Sequence, residues 1–70
     1  MSSLNELTTV ALLKDLSKHG LKKGDVGAVL HILSETVVEV EFVNTDGSAK
    51  AVIPVPEKHL IKLNLNLIPA

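Results

Sequence analysis

Polar and apolar residues alternate with a period of two over long stretches of the chain, and clusters of Gly, Pro, Asn, Asp and Ser interrupt the alternation. Thr8 to Leu13 opens with the β-branched Thr8, Thr9 and Val10 and reads as a strand, although Leu4, Leu7 and Ala11 also fall at helical spacing. Ser17-Lys18-His19-Gly20 closes it with turn chemistry, and a loop runs on to Asp25. The next strand places Val26, Ala28, Leu30 and Ile32 on one face and Gly27, Val29, His31 and Leu33 on the other. Both faces are nearly all apolar, which predicts a central strand. After the short connection Ser34-Glu35-Thr36, the core-facing Val38, Val40 and Phe42 alternate with the wet Glu39 and Glu41. Asn44-Thr45-Asp46-Gly47 predicts a hairpin, with a type I′ turn or a type I turn and G1 bulge. Ala49 to Val55 follows with Ala49, Ala51, Ile53 and Val55 on one side. Its Pro54 has no N–H for a ladder, so the end of this strand belongs at an edge or a break in pairing. Pro56 to Leu60 reads as one 3₁₀ turn. Finally Ile61, Leu63, Leu65 and Leu67 alternate with Lys62, Asn64 and Asn66, the pattern of a half-buried strand. Its first half completes the sheet. Its second half leaves Leu65, Leu67 and Ile68 in search of a surface.

The sharpest local feature is Leu21-Lys22-Lys23-Gly24-Asp25-Val26-Gly27-Ala28-Val29. A polar turn opens directly onto a β-branched strand. Gly24 permits a positive φ, and Gly27 permits a close approach to a neighbouring strand where a Cβ would collide. The order strand, long loop, three-stranded meander, helical turn and strand is that of a small SH3-like barrel. The expected architecture is therefore mostly β: a five-stranded barrel over residues 1–70 with one 3₁₀ turn and an extended C-terminal strand. Residues 1–6 are expected to form a loose start, and residues 64–70 an apolar tail.

The stretches Leu12 to Leu16, His19 to Val29 and Val38 to Phe42, together with Asp46-Gly47, make most of residues 8–63 resemble the small bacterial proteins grouped as domain of unknown function 4926. The resemblance implies a compact SH3-like barrel, often encoded as a free-standing small protein and in some relatives beside toxin genes. It implies no activity. Gly24 to Val29 also looks like the core of the KOW motif of ribosomal and transcription proteins, which typically carry a basic surface.

That surface is missing here. Seven lysines and no arginine stand against eight acidic residues, and Phe42 is the single aromatic side chain. A net charge of −1 supplies no long-range field to gather nucleic acid or anionic lipid, and stacking rings are absent as a cluster. Chains of 70 residues bury only about 60% of their unfolded surface. With no cysteine there is neither a disulfide staple nor a thiolate metal site, which raises the expectation of self-association. Met1 to Glu6 has no basic and apolar export signature, and no apolar run reaches about 20 residues. A cytoplasmic location without membrane partners is expected.

Candidate chemistry is sparse. His19, His31 and His59 match no metal-ligand spacing, so no metal and no cofactor is assigned. Asp15 and His19 lack a nucleophile placed to use them, and Glu39 and Glu41 have the pattern of a solvated strand face rather than a glycosidase pair. Lys22 to Gly27 precedes a strand rather than a helix and so is not a phosphate-binding P-loop. Two surfaces remain. Leu63, Leu65, Leu67 and Ile68 are the candidate partner-binding residues, by addition of a strand to another chain. Lys14, Lys18, Lys22 and Lys23 are the alternative, as nucleic-acid contacts. The sequence thus predicts a non-enzymatic interaction module that binds a protein or a copy of itself, as an antitoxin-like or regulatory partner, with a weak KOW-like nucleic-acid binder as the second reading.

Overall fold

The computed structural model describes residues 4–63. Five antiparallel strands form one sheet: β1 (Thr9–Leu12), β2 (Val26–Ile32), β3 (Val37–Val43), β4 (Ala49–Pro56) and β5 (Leu60–Lys62). Their order across the sheet is β4-β3-β2-β1-β5, so β2 is central as its apolar run predicts and β4 is an edge as Pro54 predicts. Two 3₁₀ turns interrupt the strands, where one is expected. Glu57–His59 occupies the expected place. Ser17–His19 is additional, and it ends on Gly20 in the left-handed region at φ +68°.

One face of the sheet carries the core. Val10 and Leu12 of β1, Val29 of β2, Val38, Val40 and Phe42 of β3, Val55 of β4 and Leu60 of β5 form a single buried cluster, joined by Leu4 and Leu21. A flat sheet would leave this face in water; because the sheet curls over itself, residues from its two opposite edges share one core. Closure stops short of a barrel, since no ladder joins β4 to β5 among the described residues. Leu4, just ahead of β1, also lies in this core.

Both glycines of the signature turn behave as their positions require. Gly24 has φ +94°. Gly27 pairs with Phe42, and a Cβ there would lie 2.6 Å from the Glu41 carbonyl oxygen and 2.8 Å from a Val40 methyl group. The β3–β4 hairpin resolves to the type I turn with G1 bulge. Gly47 alone in that turn has a positive φ, and its N–H donates to the Asn44 oxygen at 2.9 Å.

Two expected faces are corrected. In β2 the register shifts between Val29 and His31, so Leu30 is an extra residue in the ladder. Val29 therefore faces the core opposite Val40, and Ile32 pairs with the core residue Val38 although Leu30 intervenes. Strict alternation of Val26, Ala28, Leu30 and Ile32 on one face ends at that bulge. In β5 it is Leu60 that is buried, whereas Ile61 is half exposed. The 3₁₀ turn delivers the chain to the sheet one residue out of phase with the Ile61-Leu63 alternation.

Candidate interaction surface

The outer face of the sheet is built from the pairing rows that avoid the core. Ile61, Ala11 and Val26 form one row across β5, β1 and β2; Thr9, Ala28, Glu41 and Val52 form another across β1 to β4. Val43 shares this face, because it follows the inward Phe42 on β3. Ile61 is 50%, Val52 47%, Val43 44% and Val26 39% exposed. A third row on this face, His31, Glu39 and Pro54, crosses β2 to β4; the outer face thus mixes the polar Thr9, His31, Glu39 and Glu41 with exposed valine and isoleucine, as a sheet face in water does.

The two edges flanking this face differ. Pro54 and Pro56 pair with Glu39 and Val37. With no N–H to give, both prolines must occupy the non-hydrogen-bonded kind of pair, which turns their nitrogens toward the free edge. Val52 has the same parity, so its N–H also faces this edge. A register shift near Lys50 disturbs the start of the strand as well. Proline, lysine and a bulge are the devices by which edge strands resist pairing. At the other edge, the Leu63 N–H donates to the Thr9 oxygen at 2.9 Å. Successive residues of a strand point their N–H groups to opposite sides, so the Lys62 N–H faces outward, with no proline beside it.

Of the residues expected to bind a partner, Leu63 is half-buried at the end of β5. Leu65, Leu67 and Ile68 lie outside the described residues. The lysines of the alternative reading are all exposed on the loop between β1 and β2. Carboxylates are interleaved among them and hold the loop: Asp25 Oδ2 accepts the Lys22 N–H at 2.9 Å, and Asp15 Oδ1 accepts the Lys23 N–H at 2.8 Å. Asp25 also lies 3.7 Å from Lys50 Nζ. Asp15, Ser17, Gly20, Leu21 and Lys22 line a hollow of about 280 Å³. Among the described residues no group of three His, Cys, Asp or Glu side chains is placed to hold a metal ion, and no helix is long and apolar enough to cross a membrane.

His59 sits at the entrance to β5. Its carbonyl oxygen accepts the Leu13 N–H at 2.8 Å. Its Nδ1 is shut off from solvent without a hydrogen-bond partner. Loss of hydration, then the positive charges of Lys14 and Lys58, lower its pKa from the ordinary 6.5. Sequence reasoning missed the outer apolar row because it assigned Ile61 to the core; Pro56, read as a helix start, carried the overlooked signal of a second edge-blocking proline.

The structure thus defines a small, mostly β domain made of one open, curled, five-stranded antiparallel sheet. The chain belongs to the family described as domain of unknown function (DUF4926), whose model matches residues 6–62. No curated protein and no solved structure matches it.

Proposed function

We propose that this protein is a non-enzymatic interaction module that engages another protein chain along the β5 side of its sheet, in an antitoxin-like or regulatory role. The observation that carries this reading is the inequality of the edges: β4 is blocked by Pro54 and Pro56, while β5 offers the Lys62 N–H beside the exposed Ile61. A main-chain donor next to apolar side chains is what strand addition uses, the backbone supplying affinity and alternate side chains supplying specificity. The sequence beyond β5 extends the same apolar alternation through Leu65 and Leu67.

Affinity purification from the source cells, comparing the full chain with one lacking Asn64 to Ala70, tests the reading. A protein retained in stoichiometric amount by the full chain and lost from the folded, shortened one is expected. Undiminished retention by the shortened chain overturns the role of this edge. Bound RNA or DNA that salt removes overturns the reading in favour of Lys14, Lys18, Lys22 and Lys23.

A further inference from the structure

The charge distribution points to an acidic chain as the occupant of the β5 edge: a partner strand in which carboxylates alternate with apolar side chains. This rests on the interaction role proposed above and names the chemistry of its partner.

The backbone of this edge supplies little by itself. β5 is three residues long, and Ile61 turns its N–H inward to its ladder partner Ala11. The Leu60 N–H goes to the Glu57 oxygen of the preceding 3₁₀ turn. Lys62 therefore carries the main-chain donor that β5 turns outward. So short a ladder leaves affinity and choice of partner to the flanking side chains.

Those side chains are basic. Lys62 is exposed on β5 and Lys58 on the turn that leads into it. The Leu13 N–H bonded to the His59 oxygen brings the next residue, the exposed Lys14, to the same end of the sheet. None of these lysines makes an ion pair among the described residues, whereas Lys50 has Asp25 and His31 has Glu6. Of the neighbouring carboxylates, Asp15 accepts the Lys23 N–H within the loop between β1 and β2. Glu57 begins the turn, its N–H bonded to the Thr36 oxygen ahead of β3.

The other side of the sheet has the opposite sign. Glu35, Glu39, Glu41 and Asp46 lie on β3 and the turns at its two ends, half of the eight acidic residues of the chain. An acidic strand is thus attracted at β5 and repelled on the side that the β4 prolines already close. Opposite potentials at the two edges direct a charged partner to one of them.

The alternation follows from the pleat. Ile61 sits on the outer face in the row with Ala11 and Val26, and Lys62, opposite Val10, sits on the other face. An added strand therefore meets Ile61 and Lys62 with successive residues, one apolar and one acidic. Nucleic acid answers the lysines only, because the chain has no arginine and a single aromatic ring with which to hold bases.

Fluorescence anisotropy with two labelled peptides tests this, one of alternating valine and glutamate and one of alternating valine and lysine. Only the glutamate peptide is expected to bind, less tightly as salt is added. Lys14→Glu, Lys58→Glu and Lys62→Glu together are expected to weaken binding about tenfold or more, and Lys18→Glu, Lys22→Glu and Lys23→Glu together to weaken it less. If the first triple variant fails to fold, Lys14→Gln, Lys58→Gln and Lys62→Gln replace it, with weaker binding again expected. No binding of the glutamate peptide, equal binding of the two peptides, or undiminished binding by the folded triple variant overturns the proposal. A labelled single-stranded oligonucleotide that binds more tightly than the glutamate peptide overturns it in favour of nucleic acid. A protein captured from the source cells that Lys62→Pro loses and the triple variant retains overturns the acidic partner and leaves the interaction role standing; one that both variants retain overturns both.

Discussion

The β4 and β5 edges hang from the same core yet are built oppositely. β4 runs for eight residues from Ala49 to Pro56, long enough to be an aggregation hazard, and it is protected by a bulge and two prolines. β5 spans three residues, too few to need protection by itself, and the sequence after it continues with alternating leucines. Protection on one side only fits the proposed role, in which pairing at β4 is prevented and pairing at β5 is used.

The largest effect is expected from Gly27→Ala, which attacks the frame that both edges share. The new Cβ would meet the backbone oxygen of Glu41, which cannot rotate aside as a side chain can. Destabilisation of roughly 3 kcal/mol, at the upper end of overpacking costs, is expected in urea unfolding. Replacing Pro54 and Pro56 together with threonine should erase the difference between the edges. Fold stability should move by less than about 1 kcal/mol, while light scattering should register self-association through the newly opened β4 edge.

A smaller effect comes from pH, acting on the β5 side. His59 has a folded pKa below its ordinary 6.5, so the folded state binds this proton less readily than the unfolded state. Its contribution is fully present above about pH 6.5 and is lost as pH falls toward the folded value. Melting temperature should therefore decline on acidification through this range, and His59→Gln should flatten that decline. The smallest effect is at Leu7, which is 81% exposed and left-handed. A left-handed backbone costs a side-chain-bearing residue roughly 1–2 kcal/mol, and glycine's extra entropy loss offsets part of the relief. Leu7→Gly should raise stability by up to about 1 kcal/mol in the same urea assay.

Strands and turns were legible in this chain because alternation and glycine act locally. Val38, Val40 and Phe42 announce an inner face, Asp46-Gly47 a turn, and Gly27 a close strand contact, each through its own backbone geometry. What depends on phase across an interruption was not legible. The bulge at Leu30 reverses β2 without any glycine or proline to mark it, and the 3₁₀ turn Glu57–His59 sets which of Leu60 and Ile61 enters the core. The positive φ at Leu7 is likewise unmarked by a turn residue. Pro54 disclosed the β4 edge because a missing N–H constrains pairing wherever it occurs; the outer apolar row became visible only once β5 was set in phase.

Residue-resolved amide exchange in the free protein and in the complex recovered from the source cells tests the inequality of the edges most directly, since Val52 and Lys62 each direct an N–H away from their own sheet. The Val52 amide is expected to exchange freely in both, while the Lys62 amide is expected to become protected in the complex. Equal exchange at the two positions throughout, or protection that appears at Val52, would contradict that inequality.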